Sequence, residues 1–321
     1  MTACLEAGHD IVLIYVKRDG SWNASEEYCQ ILLSSSSTEL TKEMTAITSI
    51  PVSVTPGLGF IKEEKSMNID IVFPIIHGTT GEDGVLQGCI EIAGIPYVGC
   101  GVAASAIGMD KVITKILAEN VGVPVARYIV AMKDDAPIFS VVVKKLSLPI
   151  FVKPASLGSS VGVSRVRDEE EYIQALHSAF LVDEKVLIEE AIIGREIECG
   201  ILEDGELLAS GVGEVATTHE FYSYKAKYLD EHGVTITLPA NIPEDVKAIV
   251  QNYSRIIAHA IGVRGLSRVD FFYSSKGEVI FNEINTLPGF TALSMYPMLW
   301  KQEGYSGEDL MDTLLKSALK K

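Results

Sequence analysis

The chain has 321 residues, 47% hydrophobic and 22% charged, which excludes disordered and fibrous architectures and allows two or three compact units. A formal net charge of −16 argues against nucleic acid and anionic membrane surfaces as partners, because both need clustered Lys and Arg. It leaves a nucleotide open, since such a site needs only a few local donors and a cation. The five cysteines, Cys4, Cys29, Cys89, Cys100 and Cys199, are scattered without a CxxC pair and read as reduced packing thiols. The first residues lack a basic n-region and a cleavage site, and no apolar run has the length of a membrane span, so the expected compartment is the cytoplasm.

Residues 10–16 and 69–76 are apolar, β-branched runs predicted to be buried parallel strands, the second ending at His77. Between Gly84 and Gly94, the residues Val85, Leu86, Cys89, Ile90 and Ala93 recur at helical spacing, and Gly94-Ile95-Pro96 stops the pattern. A short strand at 96–98 follows. Strand, helix, strand in this order predicts an α/β unit with a parallel sheet over residues 1–110. From Lys111 a helix is predicted with Val112, Ile113, Ile116 and Leu117 on one side. The strands YIVAM, LPIFVKP, GVSRV and KVLIEE then alternate with one further helix, DEEEYIQALHSAFL, giving a small α+β unit over 111–191. The remainder, 192–321, begins with a strand pair around REIECGILEDGELLASGVGEV and a loop holding EFYSYKAKY. A helix from Glu244 to Ile261 follows, with Val246, Ile249, Val250, Tyr253, Ile256 and Ile257 at helical spacing. The hairpin LSRVDFFYSSKGEVIFNEIN turns at Ser274-Ser275-Lys276-Gly277, and two amphipathic stretches close the chain.

Chemistry concentrates in that hairpin. Glu283 and Asn285 are two residues apart and share a sheet face, and the pairing can bring Asp270 opposite them. Two carboxylates and a carboxamide suit one or two Mg²⁺ ions; the plainer alternative is a solvated polar face. KPASLGSSVGVSRV sets Lys153 at a strand end before a Gly- and Ser-rich turn whose backbone N–H groups can fold over a triphosphate. It lacks the Walker order and opens no helix, so taken alone it is equally a mobile surface turn. Lys111 in MDK and Glu189-Glu190 at the end of KVLIEE make a nucleotide cleft plausible. In HGTTGEDG, His77 sits at a strand end and reads either as a functional group or as a satisfied buried donor; Glu82 and Asp83 read as capping residues.

Together HGTTGEDGVLQG, MDK, LPIFVKPASLGSSVG, VLIEEAIIGREIE, EFYSYKAKY, GLSRVDFF and FNEINTLPGFT resemble the D-alanine–D-alanine ligases, in that family's order and approximate spacing, from about residue 10 onward. The resemblance implies an α/β multidomain protein with an ATP-grasp fold behind an N-terminal parallel-sheet domain. It implies ATP bound between the central and C-terminal units, two Mg²⁺ ions (Mn²⁺ being able to serve), D-alanine as small-molecule substrate and a homodimer. By matching position, Lys111 and Lys153 would contact the phosphates. Glu189, Glu190 and Ile192 would hold the adenine and Glu196 the ribose, with Ser160 and Tyr222 also among the cofactor-binding residues. Asp270, Glu283 and Asn285 would bind the metals. Ser159 and Tyr228 would orient the first D-alanine and the loop above it, while His77, Lys227, Ser294 and Met295 would line the amino-acid sites. Arg268 and the Gly289 N–H would form the oxyanion hole.

One departure is expected to matter. The sequence begins at what reads as the C-terminal end of the family's first helix, so the preceding strand and its Gly-rich, glutamate-bearing loop are missing from it, which predicts a weak grip on the ammonium of the first D-alanine. Rival readings keep the fold but change the acceptor to D-serine or D-lactate, as in vancomycin-resistance ligases, replace the reaction with another carboxylate–amine ligation, or leave an inactive ATP-binding relic.

Overall fold

Tight turns, more than apolar runs, decide how the N-terminal residues pair. The computed structural model describes residues 1–34, 47–158, 161–217, 234–291 and 293–320. Strands β1 (Ile14–Val16), β2 (Trp22–Ala24), β3 (Ile50–Thr55), β4 (Gly59–Lys62) and β5 (Lys65–Ser66) form one sheet in sequential order, every pair antiparallel. This corrects the parallel strands expected at 10–16 and 69–76. The first pairs antiparallel with β2. The second contributes, among the described residues, one parallel bridge between Val72 and Tyr97, with the Val72 N–H donating to Pro96 O and the Val98 N–H to Val72 O, both at 2.9 Å. Local turns set these pairings: β1 and β2 are joined by a turn in which Gly20, at φ 84°, donates its N–H to Lys17 O at 2.9 Å, and β4 and β5 by Glu63 and Glu64, both at positive φ (51° and 62°), a two-residue hairpin without the Asn-Gly that usually announces one. The predicted helix is present as Val85–Ala93, with Leu86, Ile90 and Ala93 buried and Gly94 closing it at φ 77°.

The central sheet runs in the order β6 (Tyr128–Met132), β9 (Lys185–Glu190), β7 (Ile150–Pro154), β8 (Ser164–Val166), all antiparallel. Two helices cover one face. Glu169–Phe180 is the predicted one, with the Asp168 carboxylate accepting from the Glu171 N–H at 2.9 Å. Phe139–Leu146 was not anticipated, because its Val141-Val142-Val143 run carries strand propensity; packing of Val142 and Leu146, one turn apart, overrides it.

The C-terminal sheet has the order β12 (Val234–Thr237), β11 (Glu206–Thr217), β10 (Gly194–Asp204), β13 (Leu266–Ser274), β14 (Val279–Asn285). Alternation divides its faces. Ile197, Cys199, Val269 and Phe271 point to one side, where the helix Glu244–Ile261 buries Val246, Val250, Ile257 and Ile261 against them. The other side is apolar at one end, where Leu202 and Leu266 lie beneath Tyr296 and Trp300 of the helix Met295–Gln302 and Leu310 and Leu314 of the helix Gly307–Ala318. Farther along β13 the same face becomes charged, at Arg268 and Asp270. The helix Lys111–Asn120 lies between the two sheets: Val112 packs with Ala155 and Leu187, and Ala118 joins the core of the C-terminal sheet. Among the described residues no helix is long and apolar enough to cross a membrane.

Candidate active site between two sheets

Two side chains of the central sheet meet because of its register. Phe151 on β7 pairs with Glu189 on β9, so Lys153, two residues along, is the diagonal neighbour of Glu189 on the same face. The Lys153 Nζ lies 2.5 Å from Glu189 Oε2. The other carboxylate oxygen, Oε1, is 2.5 Å from the Nζ of Lys115. Burial would push the Glu189 carboxyl up, but Lys115 and Lys153 outweigh it and hold the group down at about 2. Burial would likewise push Lys153 down, yet Glu189, Glu283 and Glu196 keep it above the usual lysine range. For Lys115 burial wins, and its pKa is lowered despite Glu189.

Lys111 precedes Lys115 by one helical turn, which puts both on the same side of their helix. Asp110 caps that helix, one carboxylate oxygen accepting from the N–H groups of Val112 and Ile113 at 3.0 and 3.1 Å and the other pairing with Lys185. The Lys111 Nζ donates to Leu157 O at 2.8 Å, reaching the start of the Ser- and Gly-rich turn, and stands 3.2 Å from Glu283 Oε2 on the opposite sheet. That ion pair ties the start of the helix to β14.

On the C-terminal sheet, Asp270 pairs with Glu283 of β14 on one side and with Glu198 of β10 on the other, so three carboxylates run across three strands. Arg268 makes that row tolerable. Its Nε and Nη2 donate to the two oxygens of Asp270, both at 2.7 Å, and its Nε is 2.9 Å from Glu198 Oε2. Burial would lower the Arg268 pKa, but Asp270 and Glu198 raise it well above the usual value. Asn285 pairs with Arg268 in the strand register. Among the described residues no three His, Cys, Asp or Glu side chains lie close enough together to hold a metal ion; the hairpin offers two carboxylates and one carboxamide.

Beyond β14, Gly289 lies so near Ser294 that a Cβ on it would fall 2.9 Å from the Ser294 Oγ. The Ser294 Oγ accepts from the Thr291 N–H at 3.1 Å. Met295 packs with Val215 and Leu299, over Gly213 of β11, where a Cβ would lie 2.4 Å from its sulfur.

His77 is exposed, its Nδ1 3.5 Å from Glu82 Oε1. Glu82 accepts the Gly78 N–H at 2.6 Å, inside the preceding turn, and Asp83 accepts those of Thr80 and Val85 at 2.8 and 3.1 Å, so of the two expected capping residues only Asp83 reaches the helix, whose N-cap is Gly84. Glu190 turns its side chain to Arg127, accepting from its Nε and Nη2 at 2.8 and 2.6 Å and from its backbone N–H at 2.9 Å. Ile192 lies just past the end of β9, and Glu196 on β10, within the field of Lys153. Ser159, Ser160, Tyr222, Lys227 and Tyr228 lie outside the described residues. Sequence reasoning missed Lys115, Glu198 and Arg127. The first two had a signal: Lys115 follows Lys111 by four residues in a helix, and Glu198 follows Glu196 by two in a strand.

Two family models match the chain, "D-ala D-ala ligase N-terminus" over residues 1–100 and "D-ala D-ala ligase C-terminus" over residues 117–316. A D-alanine–D-alanine ligase of Acetivibrio thermocellus is 42% identical over 330 residues, covering 97% of this chain and 88% of that protein. The solved D-alanine–D-alanine ligase of Coxiella burnetii superimposes with a TM-score of 0.84 at 33% identity, over 97% of this chain and 84% of that one. The VanG D-Ala:D-Ser ligase of Enterococcus faecalis does so with a TM-score of 0.85 at 33% identity, over 99% and 93%.

Proposed function

The chain belongs to the family of D-alanine–D-alanine ligases, and on that premise we propose that it condenses two D-alanines to D-alanyl-D-alanine, converting ATP to ADP and phosphate, for peptidoglycan precursors. The observation that carries the reading is the facing of Lys111, Lys153 and Glu189 on one side by Arg268, Asp270 and Glu283 on the other, joined by the Lys111–Glu283 contact at 3.2 Å.

A carboxylate is a poor electrophile, so the first D-alanine takes the γ-phosphoryl group of ATP and becomes an acyl phosphate with a good leaving group. Lys111 and Lys153 neutralise the charge that moves in that transfer. Glu189, Glu190, Ile192 and Glu196 hold the nucleoside. Asp270, Glu283 and Asn285 would hold the metal ions: hard oxygen donors suit Mg²⁺ or Mn²⁺, and two carboxylates with an amide suffice where phosphate and water complete the shell. Bound metal would supply further neutralisation of the phosphates. The amine of the second D-alanine then attacks the acyl carbon, phosphate leaves, and Arg268 with the Gly289 N–H stabilises the tetrahedral oxyanion. Ser294 and Met295 lie beside that point and receive the second amino acid. A homodimer and a cytoplasmic location complete the proposal; both rest on the family likeness.

A second reading, D-serine as acceptor, draws on the likeness to VanG. One experiment separates them: phosphate release with D-alanine alone, then mass analysis of products from an equimolar mixture of D-alanine, D-serine and D-lactate. D-alanyl-D-alanine is expected to dominate near neutral pH. A majority of D-alanyl-D-serine selects the second reading, and a majority of the depsipeptide or no phosphate release overturns both.

A further inference from the structure

The helix Lys111–Asn120 buries the wrong residue for its composition. Its isoleucines, Ile113 and Ile116, are 40% and 52% exposed, whereas Lys115 is 1% exposed. Withdrawing an ammonium from water is strongly unfavourable, so a helix that could have turned an isoleucine inward needs a reason to bury its lysine. No ligand could touch Lys115 where it lies. Its partner is Glu189, whose two oxygens it shares with Lys153, each at 2.5 Å. One buried carboxylate is therefore in direct contact with two ammonium groups, while Glu283 and Glu196 act on them from farther off. The two lysines differ in access: the Lys153 side chain is 13% exposed against 1% for Lys115.

We infer that Lys115 is a positioning residue for the nucleotide: it is the permanent counter-ion of Glu189, and so lets Lys153 swing from that carboxylate to a phosphate of the nucleotide without stranding a buried negative charge. The inference rests on the reading of Lys153 as a phosphate ligand. With Lys115 in place, departure of Lys153 leaves a neutral Lys115–Glu189 pair. Without it, Lys153 is held by Glu189 in a neutral pair of their own, and every phosphate contact it makes must be won against an uncompensated carboxylate. Burial depresses the Lys115 pKa, and of the carboxylates that oppose it Glu189 acts more strongly than Glu283.

The test is Lys115→Met, read by calorimetric binding of ADP with Mg²⁺, by thermal unfolding and by steady-state kinetics. The expected result is ADP affinity weakened by roughly 30-fold or more, the fold-change that corresponds to the lower end of the cost of losing one partner of a buried charge pair. The KM for ATP should rise in step, the KM for D-alanine should stay put, and the Tm should be unchanged or higher, because the remaining Lys153–Glu189 pair is neutral. A lower Tm with wild-type ADP affinity would mean that Lys115 only supports the fold, and would overturn the inference. If the methionine variant does not fold, Lys115→Gln, uncharged but able to donate to Glu189, is expected to show the same loss of ADP affinity, and unchanged affinity there is equally fatal. Wild-type protein in the same assays separates the two readings: no dipeptide from it removes the proposed function, whereas normal dipeptide synthesis with undiminished ADP binding by the variant removes this inference alone.

Discussion

Glu283 has a side chain one-third exposed, so solvent screens its contact with Lys111, 3.2 Å away, and weakens what that contact adds to the fold. Its value lies in what it can hold. Replacing it in Glu283→Gln keeps shape and hydrogen bonding but removes the charge that a divalent ion needs. The expected outcome is loss of turnover by at least about 100-fold, the scale at which electrostatic groups act on a transferring phosphoryl, with the Tm within a degree or two of wild type. Near-normal turnover at saturating Mg²⁺ would refute the metal assignment. That Glu283 and Asn285 share a face was legible in the sequence from strand alternation, but the pairing of Asp270 with Glu283 depends on a register shift between Asp270 and Phe271, since the turn alone would set Asn282 opposite Asp270. Lys115 was not legible. Its helix offers Ile113 and Ile116 as the natural inward residues, and only the tertiary position of Glu189 explains why they stay outside.

At the level of elements, the turn after residue 76 depends on a glycine. A Cβ on Gly81 would fall 2.1 Å from the Ile76 carbonyl oxygen, a backbone atom that cannot rotate away. Gly81→Ala must therefore push the two segments apart, at about 1–3 kcal/mol as for other overpacked sites. It would also loosen Glu82 from the Gly78 N–H, which it now accepts at 2.6 Å. A Tm lowered by several degrees is expected; an alanine variant as stable as wild type would show that the turn relaxes freely. The same scale separates what could be read from what could not. The helix Glu244–Ile261 and the hairpin of β13 and β14 carry long periodic patterns and a clear turn, and their bounds follow from the residues. The N-terminal sheet was invisible because its strands are two to six residues long and one hairpin turns on two glutamates. The helix Phe139–Leu146 hid behind three consecutive valines.

Across the whole molecule, the net charge of −16 makes Lys111, Lys115 and Lys153 a local exception, a positive group set between two sheets of an acidic protein. Each sheet has its own apolar core, and packing joins them only narrowly, through the helix Lys111–Asn120 and the Val125–Phe281 bridge. A nucleotide held by groups from both sheets supplies a further coupling by mass action. At a free concentration 100 times its dissociation constant it adds about 2.7 kcal/mol to whatever it binds. Scanning calorimetry with ADP and Mg²⁺ in that excess should raise the main transition by a few degrees and draw the two sheets into a single step. In Lys111→Met, which removes a phosphate ligand and the 3.2 Å contact with Glu283, the same ADP concentration should give a visibly smaller rise. Equal rises in variant and wild type would mean that the nucleotide binds somewhere other than between these two sheets, because no site lined by Lys111 could lose that lysine and hold a polyphosphate as tightly.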